Sequence, residues 1–303
     1  MKDFATILFL LLYSTIAFAN KIDRLKTTED VEEFVKKIEP IFTKYKYLNY
    51  ELLSTDKLTQ KLNCHGIFRK WGIRNWEKVD INNDGNTDLI YIIESDNSFD
   101  SYLILDNGFY KYKNVRLSRN VFENCELFKP VKIDNKNYLQ SYIIKHKAIT
   151  SFEYEEVIRI DTLEYKYDNF VEIQDEPANY QIDTIKYSTS SCLGSCPIFN
   201  ITITAKGEIF YKGEWYVEEE GKRTVANGKR EFQLIKDILN SIKVKELENN
   251  YSVSWTDDQT SLLEIHFKDG QIKKIRDYGL QGTFGLATLY DRLKNIALTT
   301  NWD

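Results

Sequence analysis

The chain has 303 residues, with 41 Lys and Arg against 46 Asp and Glu, for a formal net charge of −5. That balance argues against general nucleic-acid binding, and the scattered Lys and Arg leave no polybasic patch for a membrane surface. A hydrophobic content of 42%, with Tyr and Phe abundant and only four Pro, suits a sizeable core with many β-strands.

Residues 4–19, "FATILFLLLYSTIAFA", form an apolar run ending in Ala17-Phe18-Ala19. This is the h-region and A-x-A cleavage site of a secretory signal peptide, and the run is short for a transmembrane helix. No Cys follows, which argues against a lipoprotein. The expected mature chain starts at Asn20, is exported to the periplasm or medium, and has no further stretch able to span a membrane. The remaining length fits one large or two ordinary domains.

A helix follows, with Thr27 or Thr28 as its cap, Glu29 and Asp30 in the first turn, and Val31, Phe34, Val35 and Ile38 at helical spacing. Pro40 ends or kinks it. Ser54-Thr55-Asp56 can open a second, shorter helix. From Trp76 the pattern changes to strands. Runs at 89–93, 101–105 and 109–115 lead on to others at 127–133, 138–146, 154–160 and 163–173. Asp106-Asn107-Gly108, Asn135 and Asp168-Asn169 read as turns. The first half is thus a helical start leading into an antiparallel meander.

"QDEPANYQ", residues 174–181, is polar, contains Pro177 and reads as a linker. Strands follow at 182–187, 198–205 and 208–214, with a hairpin at Lys206-Gly207. Residues 229–242 are helical, with Phe232, Ile235, Leu239 and Ile242 on one face. Strands at 261–267 and 271–277 flank Asp269-Gly270. Leu286, Leu289, Tyr290, Leu293 and Ile296 define a closing amphipathic helix. The expected fold class is α+β: a signal peptide (1–19), then two antiparallel-sheet domains with flanking helices, at 20–175 and 182–303.

"VDINNDGNTDL", residues 79–89, raises a physical question, because carboxylates this close repel one another unless something positive sits among them. Counting from Asp80 as one, oxygen side chains fall at one (Asp80), three (Asn82), five (Asp84) and nine (Asp88). Gly85 is at six, where a tight calcium loop turns sharply, and Asn86 at seven would offer its carbonyl. The bidentate Glu of an EF-hand at position twelve is replaced by Tyr91, and a strand run follows, so this is not an EF-hand. Over about a dozen residues the loop resembles the D-x-[DN]-x-D-G-x-x-D calcium loop of FG-GAP and integrin-type repeats. A propeller needs several copies and this chain has one, so the resemblance implies the loop geometry alone. The expected ligands are Asp80, Asn82, Asp84, Asn86 and Asp88, and the expected cofactor is a weakly held, structural calcium ion. A solvated Asx turn is the alternative.

All four cysteines, Cys64, Cys125, Cys192 and Cys196, lie beyond the signal peptide, and an even count in an exported chain favours disulfides. Three pairings are possible. If the domains fold separately, Cys64–Cys125 with Cys192–Cys196 is the natural one. His65, His146 and His266 lack ligand spacing, which argues against zinc, and Cys192 and Cys196 lack Cys-x-x-Cys redox spacing. Gly194 lets so small a ring close.

Cys192, Gly194, Cys196, Pro197, Phe199, Gly207, Tyr211 and Gly213 follow the pattern C-x-G-x-C-P, an aromatic, a strand, a Gly turn, then Y-x-G. Gly221, Tyr251, Asp258, Gly270, Tyr278, Leu289, Asp291 and Trp302 continue it. Over 182–303 the chain resembles the bacterial family of domains of unknown function numbered 6438. The resemblance implies a small exported α+β domain and brings no established activity.

No catalytic residues are assigned. "GLQGTFG", residues 279–285, lacks the Lys-Ser/Thr of a P-loop and reads as a strand-to-helix loop. G-x-S-x-G and H-E-x-x-H are absent. Asn200-Ile201-Thr202 is a glycosylation sequon inside a predicted strand. The adjacent Asp257 and Asp258 would point to opposite faces of a strand and so are poorly placed to share a site. The expectation is an exported, non-catalytic binding or envelope-associated protein with a protein or glycan partner. The alternatives are a carboxylate-dependent hydrolase and an inhibitor or immunity-type protein. A deep pocket of convergent carboxylates would mark the first alternative, and a large exposed apolar patch the second.

Overall fold

The computed structural model describes residues 20–44, 49–120, 122–148 and 154–302; the expected signal peptide lies outside them. The chain is α+β. It opens with α1 (Lys21–Arg24), α2 (Thr28–Ile38) and α3 (Ile41–Lys44). Thr27 caps α2 through a capping box with Asp30, and the helix ends at Glu39, ahead of Pro40. Next come β1 (Tyr50–Glu51), α4 (Thr55–Lys61), capped by Ser54, and α5 (Ile67–Lys70). The first sheet is completed by β2 (Trp76–Val79), β3 (Asp88–Ser95), β4 (Ser98–Asp106) and β5 (Tyr112–Arg116). Its order is β1-β3-β4-β5, with β2 also paired to β3.

All of β3 except Ser95 is buried, which accounts for its unbroken apolar run. One side of it, through Leu89, Tyr91 and Ile93, packs on Ile22, Val31, Phe34 and Val35 of α1 and α2. The other side, through Ile90, joins Leu103 and Leu105 of β4 against a second sheet. That sheet is the meander β6 (Leu127–Ile133), β7 (Lys136–Ala148), β8 (Tyr154–Lys166) and β9 (Asn169–Glu172). Three of the hairpin turns, Asp96-Asn97, Asp134-Asn135 and Tyr167-Asp168, have two successive left-handed residues, the conformation that matches strand twist.

Two of the boundaries that differ from the sequence reading have a plain cause. The expected strands at 154–160 and 163–173 are one long β8 and a short β9, because the chain reverses only at Tyr167-Asp168. The strand expected from Phe109 begins at Tyr112. Asp106 pairs with Tyr112, and Asn107 donates to the Lys111 carbonyl, so residues 107–111 form the hairpin tip.

The second half begins with β10 (Ile182–Thr189), β11 (Ile198–Thr204), β12 (Ile209–Trp215) and β13 (Gly221–Val225). Then come α6 (Lys229–Ser241), β14 (Asn250–Ser252), β15 (Thr260–Phe267), β16 (Ile272–Tyr278) and α7 (Phe284–Thr299). Its seven strands run in the order β13-β12-β11-β10-β15-β16-β14. One face alternates inward, and its Tyr187, Phe199, Ile201 and Leu263 pack on Ile235, Leu239, Leu289 and Leu293 of α6 and α7. Trp302 closes this core by stacking on Tyr211 at 4.7 Å.

The halves meet at β9. Phe170 enters the core of the first half and Val171 that of the second. From α7, Phe284 reaches back into the first core and packs edge-on against Phe128. Glu172 accepts hydrogen bonds from the amides of Phe284 (2.7 Å) and Gly285 (2.9 Å), placing a carboxylate at the helix N-terminus. Arg159 faces the same carboxylate at 3.4 Å. Replacing Glu172 with Ala leaves two helix amides and Arg159 without this partner. Glu172→Ala should lower unfolding stability by about 2–3 kcal/mol in denaturant titrations.

Candidate functional site

The acidic loop joins β2 to β3 and occupies residues 80–87. Asn83 (φ 58°) and Gly85 (φ 91°) take left-handed conformations, which turn the chain back on itself. Asp80 organises the turn: one carboxylate oxygen accepts from the Asp84 amide (3.0 Å) and the other from the Gly85 amide (2.9 Å). The Asn82 carboxamide bridges to Asp84, accepting from its amide and donating to its carboxylate. Asp84 in turn accepts from the Asn86 amide at 2.8 Å. The structure therefore links Asp80, Asn82, Asp84 and Asn86 in one hydrogen-bonded turn.

Asp88 is placed differently. As the first residue of β3 it is fully buried, and its two oxygens accept from the amides of Ile81 and Asp106, each at 2.9 Å. Burial pushes its carboxyl up to about 7, against the pull of those two amides, and the charges of Asp84 and Asp80 add to the rise. Among the described residues, none of Asp80, Asp84 and Asp88 forms an ion pair with a protein cation. No group of three His, Cys, Asp or Glu side chains converges as a metal-ligand set among them either. A carboxylate oxygen that accepts one N–H keeps a further lone pair, so these hydrogen bonds leave acceptor capacity.

Two residues of this site were not read from the sequence. Asn137, at the start of β7, donates to the Asp80 carbonyl (2.7 Å), and its amide donates to the Asn83 carboxamide (2.8 Å). The loop is thereby tied to the second sheet. Asp106, read only as a hairpin residue, supplies the amide that holds Asp88 and caps its own turn by accepting from Gly108. The sole advance signal for Asp106 was its Asp-Asn-Gly context; Asn137 had none.

The disulfides are Cys64–Cys125 and Cys192–Cys196, with no free cysteine. The first ties the turn before α5 to the segment leading into β6. The second closes the loop between β10 and β11. Gly194 there has φ 137°, and the Leu193 amide donates to the Asp257 carbonyl, so the ring is fixed against the 253–259 loop. Asp257 and Asp258 do not share a site: Asp258 accepts from the Trp255 indole and the Gln259 amide, while Asp257 accepts from Thr256. The 279–285 segment is a strand-to-helix loop whose Gln281 and Gly282 carbonyls accept from Lys145, both at 2.7 Å. Asn200 lies in β11 and donates to Glu214.

Residues 183–297 match the model of a family described as a domain of unknown function, DUF6438. The match covers most of the second half, and the residues of the C-x-G-x-C-P pattern have physical roles here. The Cys-Gly-Cys-Pro start closes the β10–β11 loop, and Tyr211 stacks on Trp302. Gly213 is required by a close approach, since a Cβ there would lie 2.0 Å from the Glu219 carbonyl oxygen. No curated protein and no solved structure matches the chain.

The Asp88 environment gives a pH dependence. Its folded-state pKa, about 7, lies above the ordinary carboxylate value, so the folded state holds this proton more tightly than the unfolded chain. The resulting stability is fully present below about pH 4 and is lost as pH rises through about 7. In chelator-treated protein, wild type should lose up to ~1.4 kcal/mol per pH unit more than Asp88→Asn across this window. Denaturant midpoints measured at a series of pH values check this.

Proposed function

We propose that the protein is an exported, non-catalytic binding protein of the cell envelope whose acidic loop holds a structural calcium ion. The observation that carries the calcium reading is the set Asp80, Asp84 and Asp88, three carboxylates within nine residues with no protein cation paired to any of them among the described residues. Hard oxygen ligands at positions one, three, five and nine suit calcium, which tolerates an irregular shell. Asp80, Asn82, Asp84 and Asp88 supply side-chain oxygens, Asn86 its carbonyl, and water the remainder. The ion neutralises the loop, lets Asp88 ionise in its buried position and braces β2, β3 and β7 where they meet. Its role is structural.

The export half of the proposal rests on the apolar run and Ala17-Phe18-Ala19. Two disulfides and no free thiol agree with an oxidising compartment. Protein recovered from the periplasm or medium should have an intact mass that starts at Asn20; full-length protein in the cytoplasm would overturn this.

Without the twelfth-position Glu and with Asn82 in place of an Asp, affinity falls to about 10⁻⁴ to 10⁻³ M, the range of extracellular modules. Calcium at ten times its dissociation constant then stabilises the fold by about 1.4 kcal/mol. Melts in calcium and in chelator should differ accordingly, and Asp84→Ala should erase the difference. Identical wild-type melts, with no heat of calcium binding by calorimetry up to several millimolar, would reduce the loop to a polar turn.

A further inference from the structure

The β4–β5 hairpin tip stands beside the acidic loop and is unusual in three ways. Gly108, Phe109 and Tyr110 are successive left-handed residues, with φ of 75°, 51° and 60°. For the two aromatic residues this conformation is unfavourable, and a hairpin of ordinary turn residues would avoid it. The strained backbone holds both rings out of the core, with Phe109 96% exposed and Tyr110 72% exposed. Beneath them is a cavity of about 530 Å³, lined by Phe109, Tyr110, Tyr112, Asn86, Asn107 and Asp106. That volume falls within the range of small-ligand sites.

The lining selects a ligand class. Aromatic rings offer apolar faces, and one face of Tyr110 is already covered by the Lys21 ammonium, 5.2 Å from its centroid. The Asn86 and Asn107 carboxamides make no side-chain hydrogen bond to the described residues, so both offer a donor and an acceptor. The one charged side chain in the lining is Asp106, which is buried and accepts from the Gly108 amide, so the carboxamides and rings are the groups a ligand meets. Rings for C–H faces, with two free carboxamides for hydroxyl groups, are complementary to a neutral pyranose. We infer that this cavity binds an uncharged glycan, with a sugar ring stacked on Phe109 and Tyr110 and its hydroxyls bonded to Asn86 and Asn107.

The inference rests on the envelope-binding reading, since removal of residues 1–19 leaves Asn20 at the cavity's rim. It also deepens that reading, because the two sites share structure. Asn86 belongs to the acidic loop, and the Asp106 amide holds Asp88. The hairpin tip is therefore mounted on the loop that calcium would brace.

The test uses mature protein beginning at Asn20 and three neutral probes: the N-acetylglucosamine tetrasaccharide, maltotetraose and mannotetraose. Binding is read by saturation-transfer NMR and by calorimetry, in calcium and in chelator. At least one tetrasaccharide should bind, and Phe109→Ala with Tyr110→Ala should weaken it at least about ten-fold. Phe109→Gly with Tyr110→Gly, which accepts the left-handed backbone, should fold with an undiminished melting temperature and show the same loss. Absence of binding to all three sugars, or unchanged affinity in the Gly pair, would overturn the inference. If sugar binds while calcium leaves the melt unmoved, the glycan site stands and the calcium reading falls. If calcium shifts the melt and no sugar binds, the reverse holds.

Discussion

The contact between Glu172 and the first turn of α7 fixes how the two halves of the molecule sit. A helix N-terminus presents unpaired amides, and here a carboxylate from the other half takes two of them. The neighbouring contacts follow from that placement. Thr288 donates to the Phe170 carbonyl inside the junction, and Phe284 is set into the first core beside Phe128. Lys145 reaches the carbonyls of Gln281 and Gly282, and Arg119 that of Leu280. The last strand of one half and the last helix of the other are thus held by buried polar contacts that require each other.

Burial has consequences for the charges gathered there. Desolvation lowers the Lys145 ammonium to about 8, with Arg119 and Arg159 adding to the effect and Asp277 and Glu126 opposing it. Asp277 and Glu126 are raised by their own burial while backbone amides pull them down. Such a network, once satisfied, specifies one docking arrangement, because any displacement leaves charges in a dry interior without partners. The acidic loop obeys the same physics with a different outcome. Its carboxylates are held by backbone and carboxamide N–H groups, with no protein cation paired to them among the described residues.

The loop and the hairpin tip form one end of the first half. Asn137 clamps the loop to the second sheet, and Asp88 carries the connection inward to Asp106 and so to residues 107–111. The proposed calcium and glycan sites therefore lie on a continuous scaffold rather than on separate decorations. The second half adds the seven-stranded sheet, with its Cys192–Cys196 ring on the loop between β10 and β11 and α6 and α7 covering one face.

Local physics made much of this legible in advance. Thr27 and Ser54 capped the helices they preceded, because a side-chain oxygen before an amphipathic run has one obvious use. The run at 89–93 read as a buried strand because apolar residues on both faces need cover on both. Asp80 to Gly85 read as a tight polar turn because their spacing is set within a few residues, and the cysteines paired by halves because each pair shares a compact unit. Short polar strands such as β13 and β14 were not legible, since they exist only through hydrogen bonds to their neighbours. Nor could sequence say that Phe109 and Tyr110 stand outside the core, or that Asn137 and Asp106 serve the loop. Those facts depend on which residues, 18 to 57 positions apart, are brought within 3 Å, as Asp106 is to Asp88 and Asn137 to Asp80. The sequence by itself determined most of the elements and the tight acidic turn between two of them. Tertiary structure decided what that loop touches, because long-range register is chosen by burial of whole faces rather than by any residue's own preference.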